Sequence, residues 1–420
     1  MSIVDKYNFE RIVVVGLGYI GLPTAALIAS KNRKVIGVDV DQQVVASVNK
    51  GKVHIKETDL DNLVADVVET GNLTASKTMT NGDVFIVAVP TPFIDDTQHK
   101  PDLTYLKAAF TDISAVIKKG DLIIIESTSP VGTTQEMYNY VAKLRPDLGL
   151  ADFKSETNSV HFAYCPERVL PGNTLIELQT NSRIIGGNSK KASDLATIFY
   201  NDFVTGELLT VSSPELAELS KLTENAYRDV NIAFANELSL LCDEYHLNVS
   251  ELIRSANKHP RVDILSPGVG VGGHCIAVDP WFIVSDKPYH SKLIKTARSV
   301  NDNKPNWVVD KTKEHIRAYC VANNVKLSHL KIACYGLSYK PNIDDLRESP
   351  ALKVQIVLSQ WFPGEMFICE PNIRELPSDL SNRTLCNVTE ALESAELHFI
   401  FVDHDEFKNF EKLGINLISY

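Results

Sequence analysis

The sequence predicts an α/β protein with two Rossmann-like, doubly wound domains joined by a central helical domain with a long helix. Three observations predict it. Short β-branched runs alternate with helical stretches in the first half, at residues 12–15, 35–38, 84–89 and 122–126, and again at 162–164 and 183–185. Strands separated by helices build a parallel sheet covered on both faces. From about residue 206 to 305 the strand signal fades and a helical period takes over. After about 325 the alternation resumes. The expected domains are 1–205, α/β; 206–305, helical; and 306–420, α/β again.

In the central part, Ser212 or Ser213 precedes Pro214, a helix start with proline in its first turn. Apolar residues then recur at Leu216, Leu219, Leu222, Ala226, Val230, Ala233, Phe234, Leu238 and Leu241, a helical period. Such a helix is long enough to bridge domains or to pair with a second copy. In the last part, strands are expected at 331–335, 366–369 and 397–402, and helices at 351–361 and 390–394.

Composition excludes several classes. The 420 residues carry 42 Lys plus Arg against 53 Asp plus Glu, a net charge of -11. A nucleic-acid binder shows a basic patch and high pI, and a lipid-surface binder a polybasic run; neither is present. Any anionic ligand must be held by cations concentrated locally. Seven cysteines are widely spaced without a CxxC pair, which argues against a disulfide framework and a zinc site and for a reduced, cytoplasmic protein with no metal. Residues 12–30 carry no charge, but Gly16, Gly18, Gly21 and Pro23 would break a spanning helix. The expectation is a buried strand, a loop and a buried helix, with no membrane insertion.

The loop is Gly16-Leu17-Gly18-Tyr19-Ile20-Gly21. Its three glycines serve a tight turn, close approach of backbone to pyrophosphate, and helix–strand packing. The helix start supplies N–H donors and partial positive charge. Following a strand and opening a helix is the context the fingerprint requires. Asp39, ending the second strand, would accept from the ribose 2′-OH and repel a 2′-phosphate, which favours NAD over NADP; FAD shares the fingerprint. Thr91 and Thr128 stand after later strands, where they could bond the cofactor or simply shape turns.

Residues 267–275 read Pro-Gly-Val-Gly-Val-Gly-Gly-His-Cys. Glycines let backbone approach a ligand closely, and Cys275 at the end of such a loop, beside His274, is a candidate nucleophile. Cys242, Cys334 and Cys369 fit ordinary core positions. Lys221, Asn225 and Arg228 fall on one helical face; a solvated charged face competes with a buried setting, in which a lysine can serve proton transfer. Glu167 and Arg168 follow a strand, Arg261 precedes the glycine loop, and Lys340, Asp344, Asp345 and Arg347 follow the first strand of the last domain. A cysteine beside a dinucleotide fold has a chemical meaning. It captures an aldehyde as a thiohemiacetal, which loses a second hydride to become a thioester, so that an alcohol is taken to an acid with two NAD.

The motifs GLGYIGLP at 16–23, ESTSPVGT at 126–133, CPERVLPG at 165–172, KLTEN at 221–225, GVGGHCIAVDP at 270–280 and KPNIDDLR at 340–347 resemble, in order and over essentially the whole chain, the UDP-glucose/UDP-N-acetylhexosamine 6-dehydrogenase family. HPRV at 259–262 and the forms of two other motifs are most similar to its UDP-N-acetyl-D-mannosamine branch, which serves bacterial surface polysaccharide and capsule. The resemblance implies Cys275 as thioester nucleophile and Lys221 as acid/base or oxyanion stabiliser. It implies Glu167 and Asp279 at the hydrolytic water and Asn225 at the substrate oxygen. Arg168, Val169, Arg228, His259, Gly273 and Lys340 would hold the UDP-sugar. Arg261 would reach in from a partner subunit of a homodimer, and Arg347 would lie near NAD, alongside Gly16, Gly18, Tyr19, Ile20, Gly21 and Asp39. UDP-N-acetylglucosamine and UDP-glucose are alternative substrates. A two-electron hydroxyacid dehydrogenase or a non-catalytic NAD-binding regulator would not need Cys275.

Overall fold

The computed structural model describes residues 9–55, 57–94, 99–169, 172–273, 275–408, 410 and 415–420. The chain folds as two compact units, Met1–Thr223 and Glu224–Tyr420.

The first unit is built on an eight-stranded sheet: β1 (Arg11–Val15), β2 (Lys34–Val38), β3 (Leu73–Ser76), β4 (Val84–Val87), β5 (Leu122–Ile125), β6 (His161–Tyr164), β7 (Arg183–Gly187) and β8 (Leu208–Thr210). Their order is β3-β2-β1-β4-β5-β6-β7-β8. Neighbours run parallel except at β6–β7. β4, β5 and β6 are buried at every residue, as a sheet covered on both faces requires. In β1, Ile12 and Val14 pack into one core and Val13 and Val15 into the opposite one. Between β1 and β4 the strand order reverses. In open sheets that reversal leaves a crevice at the carboxyl ends, where ligands sit.

The uncharged stretch 12–30 resolves into β1, a turn and the helix Gly21–Ser30. No described helix is long and apolar enough to cross a membrane.

The long helix is Pro214–Glu244, and the Ser213 hydroxyl accepts from Leu216 N–H at its start. Within the first unit, fully buried Glu218 docks this helix. Its carboxylate accepts from Gly132 N–H at 2.6 Å, Thr134 N–H at 2.8 Å and the Thr134 hydroxyl at 2.7 Å. Gly132 and Thr134 begin the helix Thr133–Leu144, whose first N–H groups have no partner of their own and favour an anion.

The second unit contains the rest of the long helix, the helices Val249–Ala256, Asp279–Asp286 and Lys292–Asn323, and a five-stranded parallel sheet. Its strands are β9 (Lys331–Tyr335), β10 (Glu365–Cys369), β11 (Thr384–Leu385), β12 (Leu397–Ile400) and β13 (Leu417–Ser419), in the order β11-β10-β9-β12-β13. The turn after β9 repeats the turn after β1 in detail. Gly16 (φ +91°) donates its N–H to Val38 at 2.8 Å, and Gly336 (φ +88°) to Cys369 at 2.9 Å. Leu17 N–H donates to Asp39 at 2.8 Å, and Leu337 N–H to Glu370 at 2.7 Å. The two then diverge. Glu370 is buried and also accepts from Ser338 N–H, while His404, completely buried, lies 3.0 Å from it. The helix that follows, Pro350–Trp361, is capped by the Ser349 hydroxyl, whereas no side chain caps Gly21–Ser30.

The predicted α/β architecture stands, with two parallel-sheet Rossmann-like parts and a helical region between them. Four strands go beyond those the sequence predicts: β3, β8, β11 and β13. All four are sheet edges. β8 interrupts the stretch expected to lack strands from about 206. It has three residues, Leu208, Leu209 and Thr210, none of them buried, too short a run to stand out in the sequence.

Candidate active site

In the first unit the dinucleotide loop is shaped by contact distance. A Cβ on Gly21 would lie 1.8 Å from the Gly16 carbonyl oxygen, and one on Gly16 would lie 2.5 Å from that of Ala88. A Cβ on Gly18 would meet nothing within 4 Å. Gly16 and Gly21 are therefore demanded by the fold, and Gly18 faces open space. Beside that space stand the uncapped helix start, Tyr19 and Ile20, and at the end of β2 the half-buried Asp39. Asp39 accepts from Leu17 and Asp41 N–H groups at 2.8 and 2.9 Å, which orients the carboxylate at the edge of the crevice. An open cradle at Gly18, a helix start without a side-chain cap and an oriented carboxylate fit NAD. Thr91 donates its hydroxyl to the Thr128 carbonyl at 2.6 Å, tying the loops after β4 and β5 together.

After β6 the chain reaches Glu167, Arg168 and Val169; Leu170 and Pro171 of the same motif, like His274, lie outside the described residues. The Glu167 carboxylate accepts from Val169 N–H. Buried Lys221 donates from Nζ to the Glu167 carbonyl at 2.6 Å. Burial pushes the Glu167 carboxyl up to about 7, against the opposing pull of the Lys221 and Arg183 charges. Arg168 donates to the Ser182 carbonyl at 3.0 Å. Below this loop lies a cluster that sequence reasoning missed. Arg183 pairs with Glu126 at 3.3 Å, Tyr200 donates its hydroxyl to the same oxygen at 2.6 Å, and the guanidinium sits 4.8 Å from the Tyr200 ring centre. Glu126 begins a recognised motif, but nothing in sequence spacing points from it to residue 183 or 200.

In the second unit Asn225 donates to Asp279 at 2.5 Å, both buried. Asp279 is the first residue of the helix Asp279–Asp286. The Cys275 carbonyl accepts from Val278 and Asp279 N–H groups at 3.0 and 2.8 Å. Half-buried Cys275 thus stands one turn ahead of a helix start.

The glycines before Cys275 do not all serve a ligand, as their composition alone suggests. A Cβ on Gly272 would lie 2.6 Å from the Glu348 carbonyl, and those on Gly270 and Gly273 would lie 3.0 Å from Pro350 and Tyr339. They let the loop pack on the 339–350 segment, and only Gly268 has open space. Gly273 N–H donates to the Arg347 carbonyl at 3.3 Å. The Arg347 guanidinium is forked onto Asp345 of its own loop at 2.7 and 2.9 Å. The Lys340 carbonyl accepts from the Ser338 hydroxyl at 2.8 Å. Arg228, His259 and Arg261 are exposed, the last two on the turn after Val249–Ala256.

Family models match the chain in three successive stretches. They are described as the UDP-glucose/GDP-mannose dehydrogenase family's NAD binding domain over residues 10–204, its central domain over 215–303 and its UDP binding domain over 333–417. The chain belongs to this family. It is 52% identical over 402 residues to the UDP-N-acetyl-D-mannosamine dehydrogenase of Escherichia coli (strain K12), covering 96% of this chain and 95% of that one. It is 50% identical over 404 residues to the NDP-N-acetyl-D-galactosaminuronic acid dehydrogenase of Ralstonia nicotianae, covering 96% and 93%. Among solved structures, the UDP-D-ManNAc dehydrogenase of Pyrococcus horikoshii superposes with a TM-score of 0.85 at 38% identity, covering 97% of this chain and 93% of that one. This family member is an oxidoreductase that uses NAD.

The loop geometry separates two substitutions. Gly18→Ala is expected to leave the melting temperature within about 2 °C while weakening NAD affinity at least tenfold, because the added methyl group enters only the cofactor's space. Gly21→Ala is expected to unfold the first unit, since its Cβ would overlap the Gly16 carbonyl. Thermal melts alongside NADH fluorescence titration check both.

Proposed function

We propose that this dehydrogenase oxidises C6 of UDP-N-acetyl-D-mannosamine to UDP-N-acetyl-D-mannosaminuronate, consuming two NAD per sugar, as a cytoplasmic step toward bacterial surface polysaccharide. The 52% identity to the Escherichia coli enzyme over nearly the whole of both chains carries the choice of sugar. The Ralstonia relative at 50% keeps an epimeric N-acetylhexosamine as a second reading. The three-part division at 1–205, 206–305 and 306–420 belongs to the same reading, with the last part holding the UDP group.

Bound NAD supplies the hydride acceptor, and the protein does the rest. Asp39, the glycine loop and the helix start at Gly21 hold the cofactor. Lys221 takes the proton as C6–OH becomes an aldehyde with loss of one hydride. The Cys275 sulfur then adds to the aldehyde carbon, giving a thiohemiacetal. Loss of its hydroxyl proton and a second hydride leaves a thioester. Water attacks that carbon, the C–S bond breaks, and the acid and the thiol are released. Glu167 removes the proton from the water, Asp279 orients through Asn225, and Asn225 holds the substrate oxygen. Arg168, Val169, Arg228, His259, Gly273 and Lys340 bind the nucleotide sugar, and Thr91, Thr128 and Arg347 border the cofactor.

The protein is also proposed to be a homodimer. Tyr227, Phe234 and Leu241, spaced by heptads on the long helix, are 69%, 51% and 47% exposed. A repeating apolar stripe of this kind calls for a second helix. Arg261, exposed beyond the next helix, would then serve the partner's site.

Three outcomes test this reading. A panel of UDP-sugars should give two NADH per UDP-N-acetylmannosamine, and Cys275→Ala should form no acid and at most one NADH. Acid formation by Cys275→Ala would sink the covalent route. Because Glu167 acts as carboxylate and its folded-state value is about 7, single-turnover acid formation should rise with pH through about 7 and level off above 8; Glu167→Gln should lack that limb and lose roughly 10²-fold or more. Phe234→Glu should convert a dimer to a monomer in light scattering, and a wild-type monomer at working concentration would refute the assembly.

A further inference from the structure

The second unit buries a set of polar side chains that the chemistry above does not use. Asp229 and Asn236 lie two turns apart on the long helix, and Arg298 and Asn301 on the helix Lys292–Asn323. Each is at most 1% exposed. Arg298 pairs with Asp229 and, at its own helix surface, with Asp302 at 3.0 Å. Asn301 donates from Nδ2 to the Asp229 carboxylate at 2.8 Å and to the Asp229 carbonyl at 3.0 Å. Asn236 donates from Nδ2 to Asn301 Oδ1 at 2.8 Å. That chain of donors fixes the orientation of both amides, since reversing either would set like groups together.

The two ends of this network are backbone groups of one loop. Asn236 Oδ1 accepts from Gly268 N–H at 2.9 Å, where the glycine loop begins. Arg298 Nη1 reaches the Ile276 carbonyl at 3.4 Å, one residue beyond Cys275. Between these points the loop is glycine-rich and has little backbone preference of its own. Sequence spacing gives no hint of this arrangement, because its members come from two helices and meet only in the fold.

Stability does not account for the network. A buried ion pair is often no better than neutral against apolar side chains of the same volume. The Asp229 carboxyl is pushed up to about 6 by burial despite the Arg298 charge beside it. What such a network does supply is a single geometry for whatever it grips.

We propose that Asp229, Asn236, Arg298 and Asn301 are positioning residues that clamp the Cys275 loop at Gly268 and Ile276, and so set the sulfur for capture of the aldehyde. This rests on Cys275 being the nucleophile. A misplacement of about 1 Å in a reacting group can cost on the order of 10²-fold. The first oxidation does not involve sulfur and is spared. Loosening the clamp therefore splits the two halves of the reaction.

The test is product partition in the full-length enzyme, with semicarbazide as an aldehyde trap. Asn236→Ala should slow acid formation by about 10²-fold, drop the NADH yield from two toward one per sugar, and deliver trapped aldehyde. Its alcohol oxidation and its KM for NAD should stay within about threefold of wild type. In a Cys275→Ala background the same substitution should change nothing further, because the interaction it removes acts only through the sulfur. If Asn236→Ala cannot be purified folded, Arg298→Lys carries the same prediction: it keeps a charge beside Asp229 but loses the reach to Ile276. Equal loss in both half-reactions, or an unchanged product ratio, overturns the clamp. Acid formation by Cys275→Ala would instead overturn the reading of the cysteine, so the two failures are distinct.

Discussion

A polar group taken out of water must find a partner inside the protein, and the helix Pro214–Glu244 buries one polar group after another. Glu218, Lys221, Asn225, Asp229 and Asn236 are all buried, the first four on successive turns and Asn236 two turns further on. Leaving any of them unsatisfied would cost roughly 1–3 kcal/mol, more for the charged ones. Each has at least one partner: helix N–H groups for Glu218, the Glu167 carbonyl for Lys221, Asp279 for Asn225, Arg298 and Asn301 for one oxygen of Asp229, and Gly268 for Asn236. The helix therefore does more than cover apolar surface. In each unit its polar side chains fix the loops that carry the proposed chemistry, and a shift of the helix by one residue would break those bonds together.

The central strands are legible in the sequence because burial on both faces leaves an unbroken apolar run, as in Leu122–Ile125. Edge strands have one side in solvent and need no such run. Leu73–Ser76 has a single buried residue, and Thr384–Leu385 has none. The same logic divides the site. Glycines, Asp39 and Cys275 are readable because each sits in a local pattern whose chemistry is local. Glu126 with Arg183 and Tyr200, and Asp229 with Arg298, are pairings over long stretches of chain, and no periodicity reports them.

Two sequence features that suggest a ligand take partners within the protein. The glycines at 270, 272 and 273 suggest room for a ligand, yet their hydrogens face Pro350, Glu348 and Tyr339. Resemblance puts Arg347 near the cofactor, and its guanidinium is forked onto Asp345. For the glycines the residues that explain the backbone lie elsewhere in the fold, whereas the partner of Arg347 is two residues away in its own loop.

The two nucleotide-type turns differ in one respect that bears on turnover. After β1 the carboxylate and the helix start lie open; after β9 Glu370 is enclosed with His404, and Ser349 occupies the helix start. Among the described residues, the turn after β1 is thus the one berth open to a dinucleotide. A reaction that removes two hydrides from a single sugar must empty and refill that berth midway. The half-oxidised sugar has to stay behind during the exchange, and a covalent bond to a cysteine is the kind of tether that outlasts it.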